Sequence, residues 1–296
     1  MAKAAPRFTP GFRSRWTFAV LLCSAYALGV TNDLHTPARV EAGEAFSIPP
    51  EGSGQATFYL IGPDHVVKRT VELNSPIQVH AADVEAAGSY TAMLCRTECS
   101  VSRFDVRASH PALLSFFLHP SRVPVSTPGS IDATAFVFDR YWNLVAEPSA
   151  VDFRITPANG AEATKQLVSH NGIAWMRMDS GAHEGPVRVT ATLGGAEEPR
   201  VIQQVAAEAC GLRIKALPKG NSVTLESDPV KDCSGNPLPD GTIVSFTKFD
   251  AGGKSTVDVP IKKGIARTEL SLKGPARISV ACGVVLGNEL AVNGRL

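Results

Sequence analysis

The sequence predicts an all-β protein built from three tandem β-sandwich domains behind an N-terminal export segment. Two observations carry this prediction. Short runs of alternating apolar and polar residues recur along the chain, each bounded by Gly, Pro or Asn, and no long stretch has a helical period. A set of matched residues also recurs about ninety positions further along the chain. With 296 residues, the chain is long enough to bury three separate cores.

Residues 1–30 have the layout of an export signal. Four basic residues precede an uncharged apolar run over 16–30, in which Ala25 and Ala27 supply the small residues of a cleavage site. The run is shorter than the roughly 20 residues that span a bilayer comfortably. We therefore predict a signal peptide cleaved near Ala27, with an uncleaved signal anchor as the alternative. The mature protein is expected to be exported, whether periplasmic, extracellular or membrane-anchored and facing outward.

Residues 31–107 are predicted to form the first sandwich. Strands are expected over 56–61, 66–69 and 70–73, and a Gly-Pro-Asp turn at 62–64 separates the first two. Tyr90 follows a glycine turn and enters the next strand on its apolar face, as in the tyrosine corner of immunoglobulin-like sandwiches. An ordinary core tyrosine is the alternative interpretation.

Residues 108–207 and 208–296 are predicted to be a duplicated pair of domains. The offset between the matched residues becomes smaller only across loops. This is typical of a duplicated domain, because short deletions are tolerated in loops but would shift the register of a strand. The matched positions are turn residues and apolar residues, so the part that repeats is a scaffold. They include Asp139, Asn143, Val151 and Phe153 in the second domain, which recur as Asp232, Asn236, Val244 and Phe246 in the third.

The pattern of the third domain, from Asp232 to Phe246 and on to Gly264 and Gly274, resembles the bacterial immunoglobulin-like domains of the invasin and intimin type. The second domain resembles a degraded copy that departs at 140–142, where the family usually has small turn residues. The resemblance implies three tandem immunoglobulin-like sandwiches, of which the first is only generically similar. It also implies a bacterial envelope protein that serves as an adhesin, a spacer or an accessory module.

Neither the motifs nor the charge point to catalysis or to nucleic acid. The chain has no nucleophile elbow, zinc-protease helix or phosphate-binding loop, and its net charge of +1 offers no basic footprint. We predict no catalytic residue, cofactor or metal, and interpret His80, Asp83 and Glu85 as a solvated edge. Asp232 and Asn236 are interpreted as turn residues rather than calcium ligands. An enzyme on this scaffold stays open, because a fold does not determine function.

The cysteines are predicted to form structural disulfides. Cys95 and Cys99 flank three residues, so a hairpin loop would set them opposite each other. Cys210, Cys233 and Cys282 are expected near one pole of the third domain, where a Cys210–Cys233 bridge competes with a Cys233–Cys282 bridge. Five cysteines remain after signal cleavage, so one is either unpaired or paired between chains.

Exposed aromatic residues are the candidate binding residues. Strand alternation after Gly172 points Trp175 and Arg177 outward, and a Trp beside an Arg is a typical interface anchor. Partial burial is the alternative for Trp175. Tyr141 and Trp142 lie in a loop expected to face the first domain, where they form either a packed joint or a binding surface.

The sequence thus favours an exported, non-catalytic envelope protein with an adhesion, polymer-binding or spacer role. The expected partner is a protein or glycan surface of the envelope or of a host. Nucleic acid is not expected, and a membrane is contacted only through residues 1–30 if they are retained. A structural envelope component that assembles with other proteins through edge strands or the spare cysteine is the alternative.

Overall fold

Three hydrophobic cores follow one another along the chain. The computed structural model describes residues 34–293, so the predicted export segment lies outside the described residues. Buried apolar residues group into separate clusters over 34–106, 114–202 and 209–292. The all-β fold of three tandem sandwiches is thereby confirmed, while the domain boundaries at 107/108 and 207/208 stay predictions. Within 34–293, no helix is both long enough and apolar enough to span a membrane.

The first domain pairs a five-stranded sheet, in the order β1-β7-β6-β3-β4, with the two-stranded sheet β2-β5. The two strands expected at 66–69 and 70–73 are one continuous strand, because no turn residue interrupts the alternation. Tyr90 is fully buried and its hydroxyl donates to Ala86 O at 2.9 Å, which confirms the tyrosine corner. The strands are β1 (Arg39–Glu41), β2 (Phe46–Ile48), β3 (Gln55–Ile61), β4 (Val66–Glu72), β5 (Ile77–Val79), β6 (Gly88–Cys95) and β7 (Cys99–Arg107), with a 3-10 turn at Ala81–Asp83 before β6.

The second domain packs the three-stranded sheet β13-β10-β8 against the five-stranded sheet β12-β11-β14-β15-β9. Alternate residues of β10 are buried, so this strand places one face in the core and the other toward solvent. The strands are β8 (Leu113–His119), β9 (Arg122–Pro124), β10 (Ile131–Phe138), β11 (Ala150–Pro157), β12 (Ala163–Val168), β13 (Ile173–Met178), β14 (Gly185–Leu193) and β15 (Ala196–Val205).

The third domain repeats this arrangement with the sheets β16-β17-β20 and β19-β18-β21-β22, and β23 adds to β21. The matched residues of the sequence repeat fall at equivalent places: Val151 and Phe153 on β11, and Val244 and Phe246 on β18, are all fully buried. The strands are β16 (Ile214–Lys219), β17 (Ser222–Ser227), β18 (Ile243–Asp250), β19 (Gly253–Pro260), β20 (Arg267–Ser271), β21 (Ala276–Cys282), β22 (Val285–Leu286) and β23 (Leu290–Val292).

Two disulfide bonds form among the predicted cysteines. Cys95 and Cys99 are bonded across the tip of the β6–β7 hairpin, and Cys210 is bonded to Cys233. The competing Cys233–Cys282 bridge is not formed. Cys282 is a free thiol, buried in the third core, and its burial raises the pKa of the thiol, with a smaller contribution from the Glu208 carboxylate. A thiol in that position cannot bond to a second chain unless the domain opens.

Candidate binding face and interdomain joints

The outer face of the β13-β10-β8 sheet carries a row of exposed aromatic residues. Phe117 on β8 and Trp175 on β13 both stand opposite Thr134 on β10, so the three side chains form one row across the sheet. Phe117 is 58% and Trp175 62% exposed. The predicted outward direction of Trp175 is confirmed, whereas its role in binding stays a prediction. Sequence reasoning missed Phe117, because its neighbours Phe116 and Leu118 are also apolar and mask the alternation along this strand.

A polar row lies next to the aromatic row. Asp132 on β10 pairs with His119 on β8 and with Arg177 on β13. Arg177 Nε donates to Asp132 Oδ1 at 2.8 Å, and this hydrogen bond together with the opposite charge lowers the pKa of Asp132 and raises the pKa of Arg177. Both side chains remain substantially exposed. The pair therefore neutralises its own charge while keeping polar atoms open to solvent.

The aromatic row continues along β10 toward the first domain. The Phe117 and Phe136 ring centroids are 5.8 Å apart, and the Phe138 and Trp142 centroids are 5.5 Å apart. Trp142 is 63% exposed and has a backbone φ of 66°. The equivalent residue of the third domain is Gly235, with a φ of 88°, and glycine is the residue suited to that conformation. An exposed Trp thus stands at a position where the repeat uses glycine.

The equivalent row of the third domain is charged. Glu226 on β17 pairs with Lys215 on β16 and with Arg267 on β20, as Thr134 pairs with Phe117 and Trp175 in the second domain. Arg267 forms an ion pair with Glu226 at 2.8 Å. Two copies of one scaffold therefore carry a solvated ion-pair row in one domain and an aromatic row in the other. Folding of the sandwich alone does not require the aromatic row.

Asp139 and Asp232 occupy equivalent turns, which follow β10 in the second domain and β17 in the third. In each turn, Oδ1 accepts hydrogen bonds from the backbone N–H groups two and four residues later, all at 2.9 Å. In each, Oδ2 accepts from a linker N–H, that of Ser109 at 2.9 Å or Ala207 at 3.0 Å. Burial opposes the charge of Asp232, but these hydrogen bonds and that of Asn236 outweigh it and lower its pKa. The predicted turn role is confirmed for Asp232. It is wrong for the Asn236 side chain, which bonds to the preceding domain and to Asp232 rather than to its own backbone.

Asn143 and Asn236 each reach across to the domain before them. In both, the side-chain nitrogen donates to a backbone carbonyl in the loop before a central strand of the preceding domain, and the side-chain oxygen accepts from the N–H two residues later. The duplicated Asp and Asn therefore build the same interdomain joint twice. The contacts are Asn143 Nδ2 with Glu85 O at 2.7 Å, Asn143 Oδ1 with Ala87 N at 2.7 Å, Asn236 Nδ2 with Ala182 O at 2.8 Å and Asn236 Oδ1 with Glu184 N at 3.2 Å.

Each joint contains a second contact, in which the sizes of the two contacting residues complement each other. In the first joint, Tyr141 packs against the core of the first domain, and a Cβ added at Gly43 would lie 1.9 Å from its hydroxyl oxygen. In the second joint, the equivalent residues are Ser234 and Ser126, whose hydroxyl oxygens are 2.6 Å apart. The large Tyr141 side chain is thus accommodated by a glycine, whereas in the second joint two small serine side chains contact each other. The predicted joint is found for Tyr141, whereas Trp142 beside it faces solvent.

The remaining candidate group has a local structural role. Asp83 Oδ2 accepts from the His80 backbone N–H at 2.8 Å and forms an ion pair with Arg69. Within 34–293, no three His, Cys, Asp or Glu side chains are placed to hold a metal ion. Asp83 therefore anchors the turn before β6. The expected solvated edge holds for His80 and Glu85, which are exposed, but not for Asp83, whose side chain is only 14% exposed because it is ion-paired with Arg69.

Comparisons with known proteins give a likeness in fold. No protein-family model matches the chain, and no curated protein sequence matches it. The solved structure of FdeC, an adhesin of Escherichia coli, aligns with a TM-score of 0.59 at 14% identity over 88% of this chain and 95% of that one. Invasin, a bacterial integrin-binding protein, aligns with a TM-score of 0.49 at 11% identity over 86% of this chain and 58% of that one. The chain therefore shares its fold, a series of tandem immunoglobulin-like β-sandwiches, with the solved structure of FdeC.

Proposed function

We propose that this chain is an exported, non-catalytic adhesion protein of a bacterial envelope. Its second domain binds a protein or glycan surface through the aromatic face formed by Phe117, Thr134, Trp175, Phe136 and Phe138. Trp142 extends this face, and the Asp132–Arg177 pair borders it. The two matched joints hold the face in a tandem array, so the other domains act as spacers.

The contrast between the two copies of the scaffold is the observation that carries this proposal. In the third domain, the equivalent outer positions hold the charged residues Lys215, Glu226 and Arg267. The same sheet therefore forms there without an aromatic row. Exposing Phe117 and Trp175 at these positions leaves large apolar side chains in water, which hydrophobic transfer disfavours. Exposed aromatics with an adjacent Arg are the residues on which binding energy typically concentrates. A binding role explains why the face is aromatic.

The proposal is tested by surface binding of the full chain. Fluorescently labelled protein is incubated with bacterial and epithelial cells, and bound protein is counted for the parent and for Trp175→Ala and Phe117→Ala variants. Both variants are expected to bind at least tenfold more weakly. Leu217→Ala is the matched control, because Leu217 is an exposed apolar residue on the equivalent sheet of the third domain, at 59% exposure. Equal binding by all four proteins would refute the assignment of the face.

Export is tested separately by the intact mass of the protein recovered from its own cell fractions. Loss of the residues up to about Ala27 would support a cleaved signal peptide. A full-length chain in the membrane fraction would support the signal anchor. A full-length chain in the cytosol would contradict export.

A further inference from the structure

We infer that the ligand of the aromatic face is an uncharged glycan, held by stacking on Phe117 and Trp175 and by hydrogen bonds to the adjacent polar row. This inference rests on the proposed function and names its ligand class. Three properties support it: the shape of the aromatic row, the charge of the adjacent polar row and the area of the whole face.

The shape of the row suits a sugar ring. Neighbouring strands lie about 4.8 Å apart, so Phe117 and Trp175 are anchored roughly 10 Å apart on either side of the central strand. Thr134 between them is short and carries a hydroxyl, so the row presents two exposed aromatic side chains with a hydroxyl between them. A pyranose ring has apolar C–H faces and a polar rim of hydroxyls. The row offers aromatic surface to the former and the Thr134 hydroxyl to the latter.

The charge of the adjoining row favours a neutral ligand. Asp132 and Arg177 are paired at 2.8 Å, so neither presents an uncompensated charge to an acidic sugar or to a charged peptide. Their exposed oxygen and nitrogen atoms still accept and donate hydrogen bonds. A carboxylate acceptor and a guanidinium donor side by side can bind neighbouring hydroxyls of one sugar ring.

The size of the face suits a short stretch of glycan. The three strands have 7, 8 and 6 residues. At about 3.3 Å per residue and 4.8 Å between strands, their outer face has a flat footprint of roughly 300 Å². A glycan of a few sugar rings can lie within a footprint of this area.

The test is binding of the full chain to an array of neutral oligosaccharides and their uronate and sulfated counterparts, followed by calorimetric titration of the neutral oligosaccharide that binds best. The Trp175→Ala and Phe117→Ala variants are each expected to bind that oligosaccharide about tenfold more weakly, since each removes roughly 60 Å² of buried ring surface. Leu217→Ala is expected to bind like the parent. Thermal unfolding of each variant reports whether the fold is retained.

Several results would overturn the inference. They are an array on which no neutral oligosaccharide binds, binding that the two aromatic variants leave unchanged, and binding only of acidic glycans that weakens with salt. The cell-binding assay separates this inference from the proposed function. If binding to cells depends on Trp175 but survives periodate oxidation of surface glycans and is lost after protease treatment, the adhesion role stands and the glycan assignment fails.

Discussion

Replacing Asn143 with Ala should loosen the first interdomain joint without unfolding either domain. The substitution removes the two side-chain hydrogen bonds that cross the joint, to Glu85 O and from Ala87 N, each 2.7 Å long. It also removes one bond within the second domain, from Asn143 Nδ2 to Asp139 Oδ2 at 2.9 Å. A hydrogen bond contributes about 0.5–1.5 kcal/mol net, so the joint loses about 1–3 kcal/mol of coupling. That loss raises the population of open arrangements about 5- to 150-fold. The lower half of the range is expected, because this joint is only partly buried and water can replace the lost partners.

The assay is a distance distribution between two spin labels, one on each side of the joint. Lys68→Cys on β4 and Val201→Cys on β15 are exposed attachment sites, and the buried Cys282 thiol should not compete for the label. The parent should give a narrow distribution and Asn143→Ala a broad one. The width of the distance distribution therefore reports how firmly the first joint holds the two domains together.

Asn288→Ala is the matched control for this experiment. Its side chain also makes two backbone hydrogen bonds, from Ile214 N at 2.7 Å and to Ile214 O at 3.2 Å, but both lie within the third domain. It should lower the stability of the third domain and leave the label distance unchanged. If Asn143→Ala gives the same narrow distribution as this control, the reasoning that the repeated Asn holds the joint is refuted.

Three further predictions follow from single contacts. Gly43→Ala should broaden the same label distribution, because the new Cβ would lie 1.9 Å from the Tyr141 hydroxyl oxygen and because Gly43 has a backbone φ of 75°; an unchanged distribution would refute the clash. Burial, with a smaller contribution from the Asp64 carboxylate, raises the pKa of Tyr90 from 10.0 to about 12, so the first domain should lose stability as the pH rises through that window. Denaturant unfolding at stepped pH values should show this loss in the parent and a flatter profile in Tyr90→Phe. Replacing Cys210 and Cys233 with Ser should lower the free energy of unfolding of the third domain by about 3 kcal/mol, because their bond closes a loop with a sequence separation of 23 residues; equal thermal unfolding of parent and variant would contradict this.

Much of the scaffold can be predicted from local pattern. The alternation in β10 and β13 predicts which side chains point inward, and Trp175 is exposed as that alternation requires. The matched Asp139 and Asp232 predict their turns, because a carboxylate hydrogen-bonds to backbone N–H groups of its own segment. One local prediction was wrong: β4 runs unbroken over Val66–Glu72, where two short strands were expected.

The joints show where sequence reasoning stops. The repeat marks Asn143 and Asn236 as matched residues, but their partners lie in the preceding domain, about fifty to sixty positions away. A side-chain amide in a turn can bond to its own backbone or to a neighbouring domain, and the local sequence is the same in both cases. The docking of the domains decides between them.

The sequence by itself determined the all-β class, the duplication, the turn residues and the outward direction of Trp175, because each depends on neighbours within a few positions of the chain. Only the tertiary structure decided that Phe117, Thr134 and Trp175 form one row, that Cys210 rather than Cys282 pairs with Cys233, and that the repeated Asn residues join domains. The physical reason is that register between strands and docking between domains are set by packing among residues far apart in the chain. No local pattern encodes that packing.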